Sequence, residues 1–191
     1  MDNSQSTTCT NMYFDHDQLE LYNVMTRLWI EHVLWTRAFI KSQVNNLGDL
    51  EEVTKRLLRN PADFADVLVQ FYGEENAELF ESLFTEHLVI ASELIKAVLD
   101  NDMNTFEEKE NAWYANADEI AALFAEINPN WDEETWRSML YEHLDMVQNE
   151  FLLMLNKQYE DSITQFDFIQ DAALIMADIM ACGIIQQFLM E

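Results

Sequence analysis

"SLFTEHLVIA", residues 82–91, reads as one face of an amphipathic helix, and it has two echoes: "RLWIEHVLWT" at 27–36 and "SMLYEHLDMV" at 138–147. Each carries Glu-His followed by Leu or Val, so that His32, His87 and His143 recur at separations of 55 and 56 residues. Around each histidine the residues three and four positions away are large and apolar, as with Leu28, Trp29 and Trp35, or Leu83, Phe84, Ile90 and Ala91. That spacing puts the imidazole on the apolar stripe of a helix. The preceding Glu31, Glu86 and Glu142 lie about 100° round the helix, toward its flank or solvent.

The echo extends beyond the histidines. A shift of 55 residues carries Ile40 onto Ile95, Lys41 onto Lys96, Ala62-Asp63 onto Ala117-Asp118 and Leu68 onto Leu123. A shift of 56 carries "GEENAELFESLFTEHL" onto "PNWDEETWRSMLYEHL", and four further residues near Tyr159 bring Ala117-Asp118 onto Ala177-Asp178. A fixed period of this length means one supersecondary unit used repeatedly. The unit is a helical hairpin whose first helix carries Glu-His and whose second carries Ala-Asp.

The expected fold is therefore all-α: a compact bundle of about six helices from three tandem hairpins, at about 14–69, 70–125 and 126–191, behind a polar tail over 1–13. First helices are expected at about 15–45, 75–101 and 132–158. Second helices are expected at about 61–71, 105–127 and 160–190, with a short helix at 49–59. Asp49 with Glu52 and Thr105 with Glu108 have capping-box spacing, and Asn60 before Pro61 suits an N-cap. Only three Gly and two Pro punctuate the 191 residues, as long helices require. Three units are few for a solenoid, and closure around an axis is the expected arrangement.

The formal net charge is −26, from 36 acidic and 10 basic residues. Nucleic acid and anionic membrane surfaces, which need clustered Lys and Arg, are excluded as partners. Cations and basic proteins are favoured instead. Residues 172–190 approach membrane length, but Asp178, Gln186 and Gln187 interrupt them and no Lys or Arg flanks them, so a buried core helix is expected. Cys9 and Cys182 make no disulfide framework, and the N-terminal residues carry no secretory signal, which together imply a reducing, cytoplasmic setting.

Three imidazoles meeting near one axis, with Asp63, Asp118 and Asp178 on the adjoining helices, would make a site for zinc, iron or manganese. The aspartates would be ligands, or would each orient a histidine from behind. The Glu-x-x-His signature of di-iron bundles is missing, because the residues three before the histidines are Trp29, Phe84 and Leu140. His16 reads as a solvated N-terminal residue, and Trp113, Tyr114, Trp131 and Trp136 as packing. Arg37, without a counterpart in the other repeats, fits a salt bridge on a helix flank better than an anion site. Glycine-rich phosphate loops and nucleophile elbows are absent from the sequence. The functional expectation is a metal-binding helical bundle; the alternative is an acidic scaffold for a basic protein partner, with structural histidines.

"LWIEHVLWTRAFI", "NLGDLEEVTKRLLRNPADFADVL" and "ANADEIAALFAEINP" resemble a family of small helical proteins from anaerobic spore-forming bacteria, over most of the chain after residue 20. Its members often carry the label acetylglutamate kinase. Amino-acid kinases are α/β proteins with glycine-rich loops, whereas this chain has glycine only at 48, 73 and 183. What the resemblance implies is a helical fold and a bacterial, cytoplasmic origin, with no functional residues to carry over.

Overall fold

The computed structural model describes Cys9 and residues 13–190, so most of the expected polar tail lies outside the described residues. Six helices follow in order: α1 (His16–Val44), α2 (Leu50–Leu57), α3 (Asn60–Leu99), α4 (Met103–Ile127), α5 (Glu133–Leu155) and α6 (Tyr159–Ile184), the last running on into a π-helical turn, Ile185–Leu189. Among the described residues there are no strands.

The helix α3 joins two expected helices. They meet at Gly73, whose φ of 77° and ψ of 172° break the helical path inside the 40-residue element. That conformation is open to glycine at little cost and to other residues only with strain.

The helix starts use different side chains from those expected. Asp15 and Gln18 form a reciprocal capping box on α1. Asp102 caps α4 by accepting from the Thr105 backbone N–H at 3.1 Å, so the cap lies three residues before the Thr105 expected there. Asp132 caps α5 in the same way at 2.8 Å. Asp49 makes no side-chain cap; it accepts from the Ser42 hydroxyl at 2.8 Å. Asn60 is not the N-cap of α3 either. It sits inside the helix and turns its amide into the core, donating to the Leu28 carbonyl at 3.1 Å.

The packing is a closed ring. The second arm of α3 packs on α4, α4 on α5, α5 on α6, α6 on α1, and α1 in turn on α2 and α3. Large aromatic side chains fill the centre: Trp29, Phe64, Phe80, Phe124, Trp131 and Trp136 are each at most 2% exposed. Trp113 is buried as well, in keeping with its expected packing role. One helical stretch, Tyr159–Leu189, is long and apolar enough to cross a membrane by length and composition, and 61% of its most apolar window is buried inside the bundle.

Two consequences follow from α6. The first corrects the expected unlinked thiols: Cys9 and Cys182 are disulfide-bonded, with Cα atoms 5.5 Å apart. A separation of 173 residues hides this proximity, which places Cys9 itself against α6. The argument for a reducing compartment from unpaired cysteines falls with it. The second concerns Gly183. A Cβ there would stand 2.5 Å from Cδ1 and 2.8 Å from Cε2 of Trp131, and closer still to Nε1, which donates to the Ile179 carbonyl at 3.1 Å. Trp131 is 2% exposed and has no room to retreat. Gly183→Ala gains about 1 kcal/mol of helix propensity and loses about 1–3 kcal/mol or more to overpacking. The expected result is a lower Tm by calorimetry, the reverse of the usual effect of Gly→Ala in a helix.

Candidate functional site: a buried histidine cavity

The ring of helices brings the three histidines to one place. His32 on α1, His87 on α3 and His143 on α5 all line a cavity of about 20 Å³, room for about one water molecule, with Thr36, Trp113 and Gln148 as the other polar members of a mostly apolar wall. All three imidazoles are 2–3% exposed. The His32 and His143 ring centroids are 5.6 Å apart, and His32 stacks on Phe84 at 4.9 Å.

Burial holds all three rings neutral. It lowers His87 to about 4, against a hydrogen bond with Asn116 that works the other way. It lowers His143 to about 3, reinforced by His87. His32 is held well below the ordinary range by burial and then by the two other histidines.

Hydrogen bonding fixes the tautomer of one ring. The Trp113 indole can only donate, and it lies 3.1 Å from His87 Nε2, so Nε2 accepts. The proton is then on Nδ1, which donates to Asn116 Oδ1 at 2.9 Å. The Asn116 amide passes the chain on by donating to the Leu83 carbonyl, four residues before His87, at 3.0 Å. Asn60 repeats the device beside His32, for it donates to the Leu28 carbonyl, again four residues before the histidine. Its amide faces the His32 ring, but His32 Nδ1 and Asn60 Oδ1 stand outside hydrogen-bond geometry and neither has another partner. His143 Nδ1 is unpartnered too, as is Thr36 Oγ1. In the sequence shift that aligns Ala117-Asp118 with Ala177-Asp178, Asn116 falls on Met176, so α6 carries no amide at the matching position.

The expected aspartates do not join the histidines. Asp63 lies on the flank of α3, 3.4 Å from Arg59 and 3.7 Å from Arg56. Asp118 pairs with Arg137 at 2.9 Å and accepts from the Tyr141 hydroxyl at 2.9 Å. Asp178 lies beside Cys182, with Oδ1 3.5 Å from Sγ. None lines the cavity. In the second and third Ala-Asp pairs the alanine is the inward residue: Ala117 and Ala177 are at most 1% exposed, and the adjacent carboxylate is rotated about 100° away. Among the described residues, one group of three His, Cys, Asp or Glu side chains has ligand atoms all within 4.8 Å of one another, and it is Cys9, Asp178 and Cys182. The three histidines are spaced more widely.

A second buried polar cluster lies beyond the cavity. Arg37 on α1 pairs with Glu150 on α5, donates to the Ser162 carbonyl at 3.1 Å, and sets its guanidinium 4.7 Å over the Phe166 ring. Glu150 is 1% exposed, and burial pushes its carboxyl up to about 7 against the pull of Arg37. His16, by contrast, is a solvated residue beside Asp17. Compared with protein-family models, curated proteins and solved structures, the chain matches none.

Proposed function

We propose that the protein is a metal-binding helical bundle whose ion is held at the histidine cavity by His32, His87 and His143. The observation that carries this is the meeting of three neutral imidazoles on one small cavity, with His87 oriented from behind by Asn116. A ligating histidine nearly always donates its other ring N–H to an oxygen acceptor, and Asn116 supplies that acceptor in place of the expected aspartate. Neutral rings keep their lone pairs, so protons compete little for the site. Binding would draw the imidazoles together and take His87 Nε2 from Trp113. An all-imidazole donor set suits zinc better than manganese, which prefers carboxylate oxygen. The surface charge of −26 would gather cations around the bundle.

The test is zinc content by mass spectrometry on untagged protein with the Cys9–Cys182 disulfide intact, beside His143→Ala, which removes a ring whose Nδ1 has no partner to lose. The expected result is near-stoichiometric zinc in the parent, loss in the variant, and a parent Tm that rises with zinc and falls with chelator. A parent that holds no metal, with a Tm indifferent to zinc and chelator, removes the proposal. The reading as an acidic scaffold for a basic partner is favoured by the net charge and by His87, whose two ring nitrogens are both paired within the core. It requires salt-sensitive association that survives His143→Ala.

A further inference from the structure

We infer that Cys9, Asp178 and Cys182 form a second, redox-gated site: a disulfide when oxidised, and a three-ligand seat for one thiophilic divalent cation such as zinc or cadmium when reduced. This is independent of the histidine cavity and uses none of its residues.

Once the disulfide is reduced, the two sulfurs and the carboxylate need only a small opening to seat a cation. A tetrahedral zinc site with Zn–S of about 2.3 Å and Zn–O of about 2.1 Å separates sulfur from sulfur by about 3.8 Å and sulfur from oxygen by about 3.6 Å. Asp178 Oδ1 is already 3.5 Å from Cys182 Sγ, and all three ligand atoms lie within 4.8 Å of one another. The Cα atoms of the cysteines, 5.5 Å apart, allow the sulfurs to separate by side-chain rotation alone. Asp178 and Cys182 are one turn apart on α6, so their side chains rise from the same face. Beside two thiolates the Asp178 carboxylate completes a ligand set. The Tyr22 hydroxyl faces Asp178 and would orient that carboxylate from α1. Cys182 is fully buried and Cys9 is 8% exposed, so reductant and cation would both enter from the Cys9 side.

The chemistry balances. A dithiol reductant gives two electrons and two protons to the Cys9–Cys182 bond and leaves as its own cyclic disulfide. The two thiols then lose their protons to solvent as the cation binds both sulfurs.

The test uses the full chain with cadmium alone as the probe, read by the ultraviolet thiolate-to-cadmium charge-transfer band. Reduced protein is expected to give the band at one cadmium per chain, and oxidised protein none. Cys182→Ser and Cys9→Ser should lose it, Tyr22→Phe should weaken cadmium binding about tenfold, and His143→Ala should leave the band unchanged. That last variant separates this site from the histidine cavity. If reduction diminishes the helical circular dichroism, cadmium should restore it. The inference is overturned if reduced protein with two titratable thiols shows no band and no recovery of helicity, or if the band persists in Cys9→Ser.

Discussion

Arg37→Ala destabilises the protein by about 3–5 kcal/mol at pH 8, because it leaves a buried carboxylate without its counter-charge. Glu150 is 1% exposed, and Arg37 is its ion-pair partner across the α1–α5 contact. The same arginine ties α6 to that contact through the Ser162 carbonyl and the Phe166 ring. The loss should depend on pH in a definite direction. Burial raises the Glu150 carboxyl from the ordinary range to about 7, so between about 4.5 and 7 the folded chain binds more protons than the unfolded chain. A raised carboxyl contributes stability that is complete below the unfolded value and fades as pH rises through the folded one. Without Arg37 the folded value climbs further, so the loss in Arg37→Ala should grow between pH 5 and pH 8 by up to about 1.4 kcal/mol, the part lost at pH 5 being the contacts with Ser162 and Phe166. Glu150→Gln removes the titration and should flatten this part of the wild-type profile. Urea denaturation at pH 5, 6, 7 and 8 measures all three proteins. An equal loss for Arg37→Ala at pH 5 and 8 would mean that the arginine acts through packing on Phe166 and not through charge.

The histidines pull the other way. Their lowered values mean that the unfolded chain binds more protons below about pH 6.5, so their contribution is present above that value and is lost as pH falls toward 4 for His87 and 3 for His143. Between pH 4.5 and 6.5 three histidines oppose one carboxylate. Acidification should therefore weaken the fold, and a triple His→Ala variant should show a shallower acid limb.

The helical course was legible because its determinants are local. Glu-His with apolar neighbours at three and four residues fixes the inward face, and the scarcity of glycine and proline fixes helix length. Even the break at Gly73 falls in the gap between the helices expected at 61–71 and 75–101. The convergence of the histidines also followed from closure, since each occupies the inward face of a helix in the ring. The partners of those histidines were not legible. Asn60 and Asn116 lie 28 and 29 residues beyond their histidines, in the partner helix of each pairing, and no local pattern marks an inward amide. The Ala-Asp pairs suggest inward carboxylates, whereas helix rotation turns the alanines inward at Ala117 and Ala177. Arg37 with Glu150 and Cys9 with Cys182 are joined across 113 and 173 residues, separations at which sequence carries no pairing signal.

Asn116→Ala should cost about 1–3 kcal/mol more than Asn60→Ala, although both amides donate to the carbonyl four residues before a histidine. The difference lies in directionality. From Trp113 through His87 to Asn116 and the Leu83 carbonyl, every donor meets an acceptor. Removing Asn116 leaves the His87 Nδ1 proton without an acceptor inside the core. Moving that proton to Nε2 gives no relief, because it would then face the Trp113 N–H. Either tautomer leaves a buried polar group unpaired, at about 1–3 kcal/mol, whereas the cavity left by the amide is common to both variants, because Asn60 and Asn116 are both buried. Asn60 has no such chain to break: its Oδ1 and His32 Nδ1 are already unmatched, so alanine removes one hydrogen bond of 3.1 Å. Denaturant midpoints at constant m separate the two variants, and the imidazole nitrogen shifts of His87 by NMR report its tautomer directly. If the rear hydrogen bond also orients His87 toward an ion, Asn116→Ala should weaken zinc binding by about 10–100-fold. Equal stability losses for Asn60→Ala and Asn116→Ala, with the His87 tautomer unchanged, would show that these amides serve as packing alone and would remove the oriented-ligand argument for the cavity.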